Sequence, residues 1–295
     1  MNKDLQLSPV IAGTLKWGVR GAIFSKEEYL RLIENCLEIE ITTFDHADIY
    51  GNYTTEEEFG NALRLKPHLR HQMQLISKCG IRMVSPNRPE NKIKSYDTSK
   101  DHIIATVERS LKNLNSDYLD LLLLHRPDPL MDPDEIASAF GRLKQDGKVL
   151  HFGVSNFSPS QTEMILSRFP IISNQVEISI LHLQPFLDGT LDQCISRKLI
   201  PMAWSPLGGG NIFASLDDER NIRITAVAQF LAEKYNAGPD QVLLSWLLKH
   251  PSGILPVLGT SKFERIQAAL DATRIILGRE EWFLLWRAST GYEVP

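Results

Sequence analysis

Residues 101–129, DHIIATVERSLKNLNSDYLDLLLLHRPDP, contain one full period of the pattern from which this chain is built. Residues 101–114 fit an amphipathic helix. Residues 118–124 then form a short run that is apolar on both faces, the mark of a strand buried between other layers. The run stops at a polar residue, His125.

The same alternation extends in both directions. Strand patterns are expected at 10–13, 41–44, 73–77, 118–124, 150–154, 173–176, 200–204 and 254–258. Helical patterns fall at 25–38, 101–114, 132–145, 158–168, 187–197, 225–235 and 262–272. The first helix opens with Ser25 and has Glu28 three residues on, the spacing of a capping box. Strand–helix alternation with two-faced strands implies a parallel sheet with helices outside. Eight such units in 295 residues fit an α/β (β/α)8 TIM barrel, whose core is typically ~250 residues. The competing fold is an open doubly wound sheet, which would carry GxGxxG after its first strand if it bound a dinucleotide. That motif and GxxxxGK[ST] are both absent. With no repeat or linker, one domain over residues 1–295 is expected. Two segments, 80–99 and 206–224, are too long for simple turns and leave the C-terminal ends of strands, where barrel active sites lie.

Composition narrows the classes. There are 32 Lys+Arg and 36 Asp+Glu, giving a net charge of −4, and the signs are mixed throughout. Such a chain is a poor binder of nucleic acid or anionic membrane. The three cysteines, Cys36, Cys79 and Cys194, are far apart and support neither a zinc site nor a disulfide framework. No signal-peptide run and no stretch of ~18 apolar residues is present, so a cytoplasmic protein is expected.

The ionisable residues at the strand ends carry the chemistry. The second strand runs into FDHADIYG (44–51), the third ends at Ser77-Lys78, and the fourth at His125. A barrel would therefore raise Asp45, Tyr50, Lys78 and His125 from three successive strands into one mouth. A free tyrosine, with pKa near 10, is a poor acid at neutral pH. A neighbouring ammonium would lower that value. Asp45 would hold Lys78 in place, and His125 would donate to a substrate oxygen. Taken singly, each residue has a plainer reading: a helix cap, a packed rim aromatic, a surface lysine, a structural histidine. Their joint placement suits general acid catalysis on a developing alkoxide.

FDHADIYG, ISKCG and DLLLLHRPDP, followed in order by GKVLHFGVSNF, SNQVEIS, MAWSPLGGG and PVLGTSKFERI, resemble the aldo-keto reductase superfamily over nearly the whole chain. The likeness is greatest to the YdhF-type bacterial oxidoreductases. The resemblance makes Asp45, Tyr50, Lys78 and His125 a catalytic tetrad. It implies hydride transfer from NADPH to a carbonyl, with Tyr50 protonating the oxygen.

It also implies how NADPH/NADP+ is held. Ser155, Asn156 and Gln175 match positions that bond the nicotinamide carboxamide, and Trp204 matches the usual stacking tyrosine. Gly13, Thr14 and Asp45 match the strand ends near the nicotinamide ribose. Ser205, Leu207, Gly208, Gly209, Gly210 and Asn211 would wrap the pyrophosphate. Gly259, Thr260, Ser261, Lys262 and Arg265 open a helix whose N-terminus favours anions, and the two cations suit a 2′-phosphate. Where many members place Glu-Asn for adenine, this chain has Ala268-Ala269. Leu15 and Trp17, with Tyr50 and His125, are expected at the substrate pocket. The family likeness further suggests a monomer acting on a small-molecule carbonyl. The alternatives are an NADP-binding regulatory or accessory protein with little turnover, and a metal-dependent hydrolase recruiting Asp45, Asp48 and His125. Against the second, no HxH or HExxH motif occurs, and no metal is expected.

Overall fold

The computed structural model describes residues 5–214 and 218–295. The chain begins with β1 (Ile11–Gly13), α1 (Lys26–Glu38), β2 (Thr43–Asp45), α2 (Thr55–Leu63) and β3 (Gln74–Cys79). A small hairpin, β4 (Ile81–Arg82) and β5 (Ser95–Tyr96), follows. Next come α3 (Lys100–Leu114), β6 (Leu119–Leu124), α4 (Pro133–Gln145), β7 (Val149–Ser155), α5 (Pro159–Leu166), β8 (Ser173–Glu177), α6 (Thr190–Arg197) and β9 (Ile200–Trp204). The chain ends with α7 (Asn211–Ala214), α8 (Glu219–Tyr235), α9 (Pro239–Leu248), β10 (Leu255–Leu258), α10 (Phe263–Asp271) and α11 (Arg279–Thr290).

Eight strands close into a parallel barrel in the order β1-β10-β9-β8-β7-β6-β3-β2. All eight expected strands are present, and the (β/α)8 fold is the observed one. The last strand pairs with the first through Ile11↔Val257 and Ala12↔Leu258. Alternation along β6 shows why its leucine run was needed. Leu121 and Leu123 join Ile11, Ile76, Met202 and Val257 in one buried cluster. Leu122 and Leu124 belong instead to the layer packed by the outer helices. Each such fully buried side chain contributes roughly 1.5–3 kcal/mol.

Local signals act as the sequence implies. Ser25 caps α1, accepting from Glu28 N at 3.2 Å, while Glu28 Oε2 accepts from Ser25 N at 2.8 Å. Besides α7 in the 206–224 segment, three helices were not foreseen. One is α2, which is short and contains Gly60. A Cβ at Gly60 would lie 1.9 Å from the Asn113 carbonyl oxygen, so glycine is what allows α2 to lie against the end of α3. Another is α9, PDQVLLSWLL, whose residues Val242–Leu247 are all buried, so it lacks the polar face that betrays a helix. The third, α11, stacks Trp282 on Trp246 of α9 at 5.0 Å, each indole donating to the other's backbone carbonyl. The expected loop at 80–99 contains the β4–β5 hairpin. The one at 206–224 holds α7 and the start of α8, and its residues 215–217 lie outside the described ones.

Candidate active site

Asp45 is the last residue of β2, Lys78 lies near the end of β3, and His125 directly follows β6. Their neighbours in register, Asp45↔Ile76 and Lys78↔Leu123, put all three at the same end of the barrel. Tyr50 opens a 3-10 turn over Tyr50–Asn52. Gly51 in that turn has φ 59°, and a Cβ there would lie 2.4 Å from Thr55 Oγ1. Glycine thus lets the chain double back and aim the phenol at the mouth.

Lys78 is 1% exposed, and its ammonium is buried. It donates to both Asp45 oxygens at 2.8 and 2.7 Å, to the His46 carbonyl at 2.7 Å and to the Tyr50 hydroxyl at 3.2 Å. The Tyr50 and His125 rings meet edge-on, with centroids 6.0 Å apart. The structure therefore brings the four expected residues together.

Their protonation follows from burial and charge. Burial opposes the Lys78 charge, yet Asp45 and Tyr50 outweigh it and hold the ammonium above its ordinary value. Burial drives the His125 imidazole well below its ordinary value, and Lys78, Arg126 and Lys94 push the same way. The ring is neutral at pH 7, and its Nδ1 is buried with no hydrogen-bond partner. Tyr50 corrects the sequence expectation. Burial raises its pKa, Lys78 opposes the rise, Asp45 adds to it, and the net shift is upward. Tyr50 therefore keeps its proton at neutral pH, and Lys78 is placed to stabilise the phenolate only as the proton leaves.

Residues from the second half of the barrel surround this cluster. Gln175 Nε2 on β8 donates to Asp45 Oδ1 at 3.1 Å. Asn156, at φ 63°, donates through Nδ2 to Ser155 Oγ at 2.8 Å and to the His125 carbonyl at 3.2 Å. Its Oδ1 accepts from Trp204 Nε1 at 2.9 Å, which fixes the half-buried indole. Gly13 and Thr14 are buried, and Thr14 Oγ1 contacts the Asp45 carbonyl at 3.1 Å and His46 Nδ1 at 2.9 Å. Gly208, Gly209 and Gly210 all have positive φ, and a Cβ at Gly209, Gly210 or Gly259 would meet nothing within 4 Å. Lys262 and Arg265 are exposed at the start of α10, with Thr260 and Ser261 half-buried beside them. Ala269 packs into the core, and the Ala268 carbonyl is taken by Gln241 Nε2 at 2.9 Å.

Trp17 is not where it was expected. It is fully buried among Tyr29 and Phe44, and its Nε1 donates to the Thr260 carbonyl at 2.8 Å. It belongs to the core beneath the mouth, whereas Leu15 is half-buried. Sequence reasoning assigned no role to His46, whose carbonyl helps hold Lys78, or to Arg126. The first acts through its backbone and leaves no side-chain signal. The second follows His125 directly in the HRPDP run. Among the described residues, no group of three or more His, Cys, Asp or Glu is placed to hold a metal ion.

A parallel barrel thus gathers a carboxylate, an ammonium, a phenol and an imidazole at one mouth. The aldo/keto reductase family model matches residues 9–285, and the chain belongs to that family. It is 49% identical to the oxidoreductase YcsN of Bacillus subtilis, covering 99% of this chain and 98% of that one. It is 48% identical to the oxidoreductase YdhF of Escherichia coli, over 95% and 93% of the two chains. It is 38% identical to a 6-dehydroglucose reductase of Agrobacterium fabrum, over 100% and 98%. The crystal structure of the thermostable aldo-keto reductase Tm1743 superposes with a TM-score of 0.79 at 27% identity, covering 97% of both chains. The chain is thus an oxidoreductase of the YdhF type.

Proposed function

We propose that this chain reduces an aldehyde or ketone to an alcohol with NADPH, Tyr50 giving the proton. The observation that carries the reading is Lys78 Nζ, held by both Asp45 oxygens and 3.2 Å from the Tyr50 hydroxyl. Phenolate formation is then matched by a positive charge already in place, at no reorganisation cost. The neutral His125 would donate one hydrogen bond to the carbonyl oxygen and orient it towards Tyr50.

The residues present fit a nicotinamide dinucleotide. Open space over Gly209, Gly210 and Gly259 lets a phosphate approach the backbone closely. The Trp204 indole, fixed by Asn156, offers a flat face for stacking. Gln175 uses Nε2 on Asp45, leaving its Oε1 to accept from a carboxamide. Exposed Lys262 and Arg265, at a helix N-terminus, suit a 2′-phosphate and hence NADPH over NADH. When bound, NADPH would supply the hydride.

The test is a titration with NADPH and with NADH, following tryptophan fluorescence, then an assay of NADPH oxidation over a carbonyl panel. Saturable quenching stronger with NADPH, and turnover of one or more carbonyls, is the expected result. No quenching at millimolar concentration of either would overturn the cofactor assignment. Tight binding without turnover would replace the enzyme reading with that of a nucleotide-binding accessory protein.

A further inference from the structure

Tyr50 is the member of the cluster farthest along the chain from a strand. Asp45 and Lys78 sit in the barrel wall and His125 directly follows β6, whereas Tyr50 opens the turn beyond β2. Its hydroxyl contact with Lys78, at 3.2 Å, is the longest of the four that the ammonium makes. Whatever fixes the turn therefore fixes where the phenol lies. Gly51, Asn52 and Tyr53 in that turn all have left-handed backbones, with φ of 59°, 59° and 73°. Such a backbone costs a residue with a Cβ roughly 1–2 kcal/mol, and a bulky side chain is rarer there still. Among the described residues, Tyr53 is the only aromatic one in this conformation. Asn115, Lys198 and Asn236, by contrast, end helices α3, α6 and α8, where a left-handed cap is routine.

A strained backbone persists only where its surroundings over-determine it. Here the surroundings come from one segment, the connection between β4 and β5. Tyr53 is buried, and its hydroxyl accepts from Met83 N at 2.7 Å and donates to the Met83 carbonyl at 3.3 Å. Asn91 Nδ2 donates to the same carbonyl at 3.1 Å, while its Oδ1 accepts from Arg82 Nε at 3.0 Å. The Arg88 guanidinium lies over the Tyr53 ring, 4.7 Å from its centroid. The Asn52 carbonyl is taken by Asn87 Nδ2 at 2.9 Å and Ser85 Oγ at 3.4 Å. At the other end of the turn, Tyr53 N and Thr54 N both donate to the Tyr50 carbonyl, at 3.0 and 3.1 Å. Tyr53 thus joins the backbone of Tyr50 on one side to the β4–β5 segment on the other. A right-handed turn in its place would send the chain, and the phenol with it, in another direction.

We propose that Tyr53 is a positioning residue: tied to Met83, it holds the left-handed turn that sets the Tyr50 hydroxyl against Lys78. This rests on the reading of Tyr50 as the proton donor. The β4–β5 segment then acts on the chemistry without touching the reacting atoms. Loss of its grip slows the chemical step and leaves cofactor binding intact.

The experiment measures the single-turnover rate of NADPH oxidation at saturating carbonyl, and NADPH affinity, in the wild type, Tyr53→Phe and Tyr53→Gly, with Tyr235→Phe as control. Y53F loses both bonds to Met83 and keeps the ring. Y53G adopts the left-handed backbone without strain but has no tether. Y235F deletes a hydroxyl of α8 that is bonded to Glu281 and to the Ile276 carbonyl. The rate should fall roughly tenfold or more in Y53F and Y53G, the scale of a misplaced reacting group, with NADPH affinity kept within about threefold. The alkaline limb of the rate profile in Y53F should move upward, because the phenolate loses part of its contact with Lys78. Y235F should keep the wild-type rate. An unchanged rate or an unmoved alkaline limb in Y53F, or a wild-type rate in Y53G, overturns the proposal. So does a loss in Y53F that Y235F reproduces, or one matched by weaker NADPH binding. Fluorine NMR of protein carrying 3-fluorotyrosine separates this proposal from the reading beneath it, the Tyr50 resonance being the one missing in Tyr50→Phe. If no carbonyl is reduced, a Tyr50 resonance displaced or broadened in Y53F sustains the positioning role while the proton-donor reading falls. A Tyr50 resonance unmoved in Y53F removes the positioning role.

Discussion

Gln175 Nε2 donates to Asp45 Oδ1 at 3.1 Å, linking β8 to β2 across the barrel mouth. The Asp45 carboxylate is thereby held from two sides, by Lys78 and by a neutral amide. Removing the amide leaves a buried charge short of one partner. We expect Gln175→Ala to lower stability by about 2 kcal/mol, the scale of a hydrogen bond to a charged group. In a double-mutant cycle with Asp45→Asn, the two losses should fall short of additive. Strict additivity in urea titrations would show that the bond contributes nothing.

Tyr50→Phe removes one oxygen and leaves the ring. Its reductase activity should drop by 10²–10⁴, the range for a lost general acid. NADPH affinity, read by tryptophan fluorescence, should stay within a few-fold. An equal loss of both would make Tyr50 a structural residue.

How far the sequence revealed this site depends on which atoms do the work. The gathering of Asp45, Lys78 and His125 was legible because each lies at or directly beside a strand end, with Tyr50 on the turn that follows β2, and eight strand–helix periods place strand ends in one ring. The open glycines and the cations of α10 were legible as residue types at loop positions. The backbone carbonyl of His46 was not, because any residue has one. Trp17 was misplaced for a related reason: an indole near a strand end suits a pocket wall or a core, and only its bond to the Thr260 carbonyl decides. Helices α2 and α9 escaped because one is held in place by Gly60 and the other has no polar face. The direction of the Tyr50 shift needed the depth of burial, which composition does not give.

His46 provides a pH prediction. Burial first, then the Lys78 charge, pushes its pKa from 6.5 to about 3. Between those values the unfolded chain takes up a proton that the native state refuses, so the native state loses stability as pH falls below 6.5. In His46→Gln this loss is absent. The stability gap between wild type and variant should therefore narrow by about 1.4 kcal/mol per pH unit. Denaturant midpoints at a series of pH values from neutral downwards check this, and parallel slopes would refute it.

Lys262→Ala should weaken NADPH about tenfold or more while leaving NADH within a factor of two or so, because only NADPH has a phosphate to lose a charge-assisted bond. Equal weakening of both cofactors would remove the basis for NADPH preference.

Gly60→Ala tests the approach of α2 to α3. An added Cβ would lie 1.9 Å from the Asn113 carbonyl oxygen, and backbone has little room to yield. A loss of roughly 1–3 kcal/mol, the cost of overpacking, is expected in thermal or chemical unfolding. Wild-type stability would mean the helices separate freely.

Closure of the barrel through Ile11↔Val257 also sets a timetable for biosynthesis. The two partners are separated by most of the chain, so the ring cannot be completed while a ribosome is still making the segment that contains β10. Until then Ile11, Ile76 and Leu121 line an open trough rather than an enclosed interior, and β1 presents an unpaired edge. Pairing between segments so distant in sequence is slow, and exposed apolar edges invite association in the interval. Asp45, Tyr50, Lys78 and His125, all made by position 125, thus wait for a lining that the last strand completes, and newborn chains have most to gain from chaperones during that wait.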